Sequence, residues 1–159
     1  MSNKTTDICD AHSERLRIAS PIFFDYGGRR FFEGPVTTVK VFEDNSLVRQ
    51  ALEEPGQGRV LVVDGGGSMR CALLGDQLAA LGAKNGWAGV VVYGCIRDSA
   101  DIAGIDIGVK ALMTHPLKSV KKGVGDRDVP VTFAGITIRP GDYLYADHDG
   151  IVVADDKLV

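Results

Sequence analysis

The sequence has 159 residues, 45% hydrophobic and 25% charged, which predicts one globular domain spanning residues 1–159 around one sizeable core. A formal net charge of −3 gives no basic field for nucleic acid and no polybasic membrane patch, and no apolar run approaches the ~18 residues of a membrane-spanning helix. Three cysteines, Cys9, Cys71 and Cys95, lack C-x-x-C spacing, and the polar N-terminus resembles neither a signal nor a transit peptide, so neither a zinc nor a disulfide framework is expected and the chain reads as reduced and cytoplasmic.

In chain order, residues 7–16 read as a short helix with Thr5 or Thr6 as its cap. The aromatic and glycine-rich stretch 20–35 reads as a loop entering a strand at 36–42. Asn45 or Ser46 can cap a second helix whose inner face carries Leu47, Val48, Ala51 and Leu52, ended by Pro55 and Gly56. A strand at 59–63 feeds the sequence DGGGS, and residues 69–74 form another strand. The segment GDQLAALGAKNGW predicts a helix with Leu78 and Leu81 inward, stopped by Asn85 and Gly86. Residues 90–95 make a central strand, followed by a helical turn to Ile105 and a strand in VKALMTHP. The charged, glycine-punctuated stretch 118–128 is expected to be loop, and residues 129–155, broken by turn signals, a β-meander. Strand–helix alternation followed by antiparallel strands predicts a mixed α/β domain with layered sheets.

Two places carry chemistry. A glycine at a strand-to-helix junction, Gly75 in LGDQLA, leaves the first amides of the helix free to meet a carboxylate or phosphate, although Asp76 could instead cap that helix. The central strand ends on Arg97 and Asp98, which make either a surface ion pair or an anion site beside a cation site. One helix and one strand fit between Asp76 and Arg97, so both motifs can finish at one edge of the sheet. Gly65–Gly67 does not satisfy a phosphate-loop pattern and reads as close backbone packing. His12, His115 and His148 share no metal-site spacing, Cys95 reads as a small buried hydrophobe, and Lys118, Lys121 and Lys122 read as a solvated basic loop or, less simply, a protein contact.

Asp76, twenty intervening residues, then Arg97–Asp98 matches the D-x20-R-D signature of the 4-hydroxy-4-methyl-2-oxoglutarate aldolases. VFEDNSLVRQALEE, GRVLVVDGGGSMRCALLGDQLA, NGWAGVVVYGCIRD, DIGVKAL and PGDYLYADHDGIVV also resemble this family, which includes the regulator of ribonuclease E activity A, closer to this chain in length. The resemblance implies a fold like the swivelling phosphohistidine (β/β/α) domain and a homotrimeric ring with sites between subunits. It implies Asp98 as ligand to a divalent cation, magnesium or manganese, and Arg97 as the grip on substrate carboxylate and keto oxygen. Gly75, Asp76, Gln77 and Leu78 would line the other side of the substrate, partly through backbone amides, with Asp76 also holding a water on the metal. The implied substrate is a small α-keto acid cleaved to pyruvate through its enolate, with oxaloacetate decarboxylation as a second activity. The larger aldolases add an acidic residue from a C-terminal extension that has no counterpart here before Val159. The rival implication is a non-catalytic protein that binds ribonuclease E, although in the regulator the acidic pattern is degraded and here Asp76, Arg97 and Asp98 are all present.

Overall fold

The computed structural model describes residues 3–159. Helix α1 (Thr5–His12) and a 3-10 turn lead into short strands β1 (Arg17–Ile18) and β2 (Phe24–Asp25), then the long strand β3 (Phe32–Lys40). Helix α2 (Ser46–Leu52), strands β4 (Val60–Asp64) and β5 (Ala72–Leu74), helix α3 (Asp76–Lys84) and strand β6 (Gly89–Ile96) follow. The chain continues through α4 (Ser99–Ile102), β7 (Gly108–Thr114), β8 (Asp126–Arg127), β9 (Val131–Phe133), β10 (Ile136–Ile138), β11 (Tyr143–Asp147) and β12 (Gly150–Ala154). Among the described residues, no helix is long and apolar enough to cross a membrane.

The main sheet runs β1-β12-β11-β3-β4-β6-β7-β2, with β5 added beside β6 and β8 beside β3. Its centre, β3-β4-β6-β7, is parallel, and the flanking β11, β12, β1 and β2 are antiparallel. The parallel strands read as unbroken apolar runs because both of their faces are covered. Leu61, Val63, Val90 and Val92 face α2 and α3 in one core, whereas Val60, Val62 and Val91 join Phe133, Ile136, Ile138 and Leu144 in another. The result is a curled mixed sheet between helices on one side and a β layer on the other, as layered α/β packing requires. Phe32 lies against Gly89 and Gly108, which are paired across β6 and β7, and a Cβ at either glycine would fall within the ring.

Several expectations need correction. The 129–155 region is not one meander: β9 and β10 form their own two-stranded sheet, and β11 pairs with β3 as well as β12. The expected loop at 20–35 contains β2 and the start of β3, and the expected loop at 118–128 contains β8. Thr5 and Thr6 do not cap α1, because Lys4 holds that position and Thr5 donates through its amide and hydroxyl to the buried Asp147 at 2.8 and 2.7 Å. Asn45 holds the N-cap position of α2, but its side chain makes no capping bond, and the Asp44 carboxylate takes the Ser46 amide at 2.9 Å.

Candidate active site

Strands β5 and β6 run parallel with Leu74 opposite Ile96, and the Arg97 amide donates to the Leu74 carbonyl at 2.9 Å. That pairing brings Gly75–Asp76 and Arg97–Asp98 out of the sheet side by side, at the carboxyl ends of parallel strands where open α/β sheets form their clefts. The stretch between the two motifs is taken up by α3 and β6, as the spacing requires.

Asp76 does not cap α3. Gly75 occupies the N-cap position, and the Asp76 amide donates to Asp98 Oδ2 at 3.2 Å, so the carboxylate from the neighbouring strand end meets the positive end of the helix. Asp98 adopts a left-handed backbone, φ 58° and ψ 41°, a conformation that aspartate and asparagine tolerate better than other side chains with a Cβ. The absence of a side chain at Gly75 makes room for this arrangement: a Cβ there would lie 2.9 Å from Asp98 Oδ2 and 3.6 Å from Arg97 Nε. Among the described residues, neither Arg97 nor Asp98 enters an ion pair. Arg97 reaches only the Pro116 carbonyl, at 3.5 Å. The two adjacent charges are therefore free to act on something else.

They line a cleft of about 160 Å³ together with Gly75, Asp76, Gln77 and Leu78, so all six sequence-derived site residues meet in one place. The same cleft is lined by Asn45, Arg49, Lys118 and Lys121, none of which the sequence reading placed there. Lys118 and Lys121 are exposed on the loop the sequence predicts, and that loop borders the cleft. The Asn45 Nδ2 donates to the Leu73 carbonyl at 3.2 Å, and its Oδ1 is buried without a partner among the described residues.

A hard divalent cation fits this donor set, and a softer one does not. Asp98 is exposed, forms no ion pair, and carries its one protein hydrogen bond on Oδ2, leaving Oδ1 for a ligand. Asp76 supplies a second carboxylate in the same cleft. Among the described residues, no cluster of three or more His, Cys, Asp or Glu is present, so an ion held by Asp98 and Asp76 would keep most of its waters.

The features set aside in the sequence lie elsewhere. Gly65 and Gly67 both donate to the Tyr93 carbonyl, at 3.0 and 3.1 Å, so that turn has no amides to offer a phosphate. Cys95 is fully buried with its thiol 3.3 Å from the Met69 sulfur, and burial pushes its pKa up, away from the thiolate. His115 accepts the Leu117 amide at 3.1 Å. A larger hollow of about 380 Å³ lies against Lys110, but that buried ammonium is already held by Asp25 at 3.0 Å and the Asp147 carbonyl at 2.6 Å.

Known proteins resemble this chain over nearly its whole length. A model of the RraA-like family, described as Aldolase/RraA, matches residues 5–153. The chain is 74% identical, over 100% of its own length and 99% of the relative's, to a protein of Alkalilimnicola ehrlichii provisionally named 4-hydroxy-4-methyl-2-oxoglutarate aldolase. A protein of Aromatoleum aromaticum with the same provisional name is 64% identical over the full length of both. Among solved structures, the RNA-processing inhibitor RraA from Thermus thermophilis superposes with a TM-score of 0.96 at 46% identity, covering 100% of this chain and 96% of that one. A Geobacillus kaustophilus protein described as an S-adenosylmethionine: 2-dimethylmenaquinone methyltransferase also superposes at 0.96, with 54% identity over 98% of this chain and 97% of that one.

Proposed function

The chain belongs to the RraA-like (Aldolase/RraA) family, and from that premise we propose that its cleft cleaves 4-hydroxy-4-methyl-2-oxoglutarate to two molecules of pyruvate. The observation that carries this reading is the unpaired Arg97–Asp98 dipeptide facing the amides of the Gly75–Leu78 turn in one small polar cleft. A 2-oxo acid presents a planar carboxylate and keto oxygen, which a guanidinium and a row of helix-terminal amides can hold together. Breaking the C3–C4 bond sends its electron pair into C2–C3 and leaves charge on the keto oxygen as an enolate. Arg97, already positioned, meets that charge where it develops, the arrangement that contributes most to reactions of this kind. The 4-hydroxyl proton passes to Asp76, directly or through one water, as the C4 carbonyl of the departing pyruvate forms. Protonation of the enolate at C3 releases the second pyruvate.

Asp98 would hold a divalent cation, magnesium or manganese, whose contribution when bound is Lewis-acid stabilisation of the same developing charge. Loss of carbon dioxide from oxaloacetate generates the same enolate, so decarboxylation belongs to the proposal as a second activity. We place the reaction in the cytoplasm and in a homotrimer. Exposed apolar side chains, including Phe42, Met69, Met113, Leu117, Val120 and Val124, are those a neighbouring copy would cover.

The test is pyruvate release from each substrate, measured with chelator and after adding back magnesium or manganese. Metal-restored release of pyruvate from both supports the reading, and no turnover under any metal overturns it. A second reading is favoured by the 46% identity to the Thermus RNA-processing inhibitor: a protein that binds ribonuclease E and needs no metal. Inhibition of ribonuclease E that survives in an Asp98→Asn variant lacking turnover would establish it.

A further inference from the structure

The cleft holds more positive charge than a 2-oxo acid group requires. Arg49, Arg97, Lys118 and Lys121 face only two carboxylates, Asp76 and Asp98, in a chain whose formal net charge is −3. Among the described residues, Arg49, Lys118 and Lys121 enter no ion pair. If Arg97 and the helix amides take the 2-oxo end, three cations remain for a group further along the molecule.

Lys118 and Lys121 do not ride on a free loop. Lys118 bridges in parallel to Ala72, whose amide donates to the Leu117 carbonyl at 2.7 Å. The segment after Lys121 is fastened by the buried Asp44, whose Oδ2 accepts the amides of Lys122 at 2.9 Å and Val124 at 3.1 Å. Asp44 Oδ1 holds the Ser46 amide and hydroxyl, and the Ser46 hydroxyl takes the Gly123 amide at 3.2 Å. Ser119, also buried, accepts the Asn45 amide on its hydroxyl oxygen at 3.1 Å. One carboxylate therefore ties the start of α2, the helix bearing Arg49, to the strap bearing both lysines. Burial costs that carboxylate, but four donors hold it ionised.

We infer that Lys118 and Lys121, with Arg49, form a subsite for a carboxylate on the far end of the substrate, and that Asp44 is the positioning residue that fixes it. The inference rests on the reading of the cleft as a 2-oxo acid site. It makes the protein selective for oxo acids with a second carboxylate. That subsite gives oxaloacetate no help in the chemical step, because a carboxylate gripped by cations is stabilised against leaving as neutral carbon dioxide.

A matched pair of non-cleavable probes tests this. 2-Oxoglutarate and 2-oxopentanoate have the same chain length and differ in the distal carboxylate. Their binding to the full-length protein, followed by calorimetry with magnesium, should favour 2-oxoglutarate at least 10-fold, since a charge-assisted contact contributes roughly that much. Lys118→Gln/Lys121→Gln should reduce that preference to below threefold, mainly by weakening 2-oxoglutarate. Asp44→Asn should do the same, a selective change that mere loosening of the fold would not produce. Equal binding of the two probes by the unaltered protein, or a preference that survives in the lysine double variant, overturns the inference. A preference present without any pyruvate release from 4-hydroxy-4-methyl-2-oxoglutarate leaves the subsite standing and rejects the aldolase.

Discussion

Replacing Gly75 by alanine tests the geometry of the cleft more directly than removing any charge. The backbone there, φ −122° and ψ −173°, suits alanine, so no strain is introduced and the lost glycine flexibility favours the folded state slightly. The new Cβ, however, would sit 2.9 Å from Asp98 Oδ2. Reaching ordinary contact near 3.4 Å moves the carboxylate by about 0.5 Å and stretches its 3.2 Å bond to the Asp76 amide toward about 3.7 Å, past a useful hydrogen bond. A charge-assisted bond at an exposed carboxylate contributes at the lower end of its range, about 1–2 kcal/mol, which corresponds to a factor of roughly 5–30. Displacement of the cation-holding group adds to this, because misplacement by 1 Å costs on the order of 100-fold. Gly75→Ala should therefore melt within about 2 °C of the unaltered protein while kcat/KM falls ~10- to 100-fold and the magnesium needed for half-activation rises. The assay is pyruvate release coupled to NADH oxidation across a magnesium series. Retention of kcat/KM within twofold would refute the claim that the Asp98 carboxylate must sit where Gly75 allows it.

Asp98→Asn keeps the left-handed backbone and removes the charge, so metal-dependent turnover should fall by at least ~100-fold with an unchanged melting temperature; full activity at limiting magnesium would reject Asp98 as the metal ligand. Arg97→Lys keeps the charge and loses the planar fork, and kcat/KM for oxaloacetate should drop by more than ~10-fold, which near-normal kinetics would contradict. Asp25→Ala strands the buried Lys110 ammonium without its carboxylate, at a cost of about 3–5 kcal/mol or ~10 °C in melting temperature; a shift below ~2 °C would show that the pair does not matter to stability. Asp44 is held below the usual carboxylate range despite its burial, because Ser46, Val124 and Lys122 donate to it. A depressed folded pKa gives stability that is fully present above about pH 4 and lost as pH falls through the folded value. Asp44→Asn should flatten the acid side of the melting-temperature profile, and an unaltered acid limb would remove Asp44 from the strap.

The half of the cleft built from Gly75–Leu78 and Arg97–Asp98 was legible because it is local. Gly75–Leu78 begins one helix and Arg97–Asp98 ends the next strand, so counting residues across a helix and a strand is enough to bring them together. The cationic half was not. Lys118 and Lys121 stand in a segment whose composition describes a solvated loop, and what fixes it is Asp44, 78 residues away from Lys122 in sequence. The misassigned caps have the same origin: the acceptor at α1 comes from Asp147, 142 residues beyond Thr5. Turn residues located the hairpins of the C-terminal region but carried no information on which strand β11 would choose, since its pairing with β3 depends on the curl of the whole sheet. The charge at Lys110 gave no warning of its burial because its partner, Asp25, arrives on an edge strand hidden in what reads as loop.

The backbone at Asp98 also constrains how this protein can change over generations. Its left-handed conformation is comfortable for glycine, asparagine and aspartate and costly for nearly everything else, including a longer glutamate that would preserve the charge. Drift at this position is therefore channelled toward neutral residues. A lineage released from the need for turnover would lose the carboxylate in a single substitution and retain the sheet, the cleft and the outer surface intact. Under the proposed reaction, inheritance of the architecture and inheritance of the chemistry come apart at one residue. Within such a lineage, descent can preserve a surface suited to recognition long after chemistry has ceased.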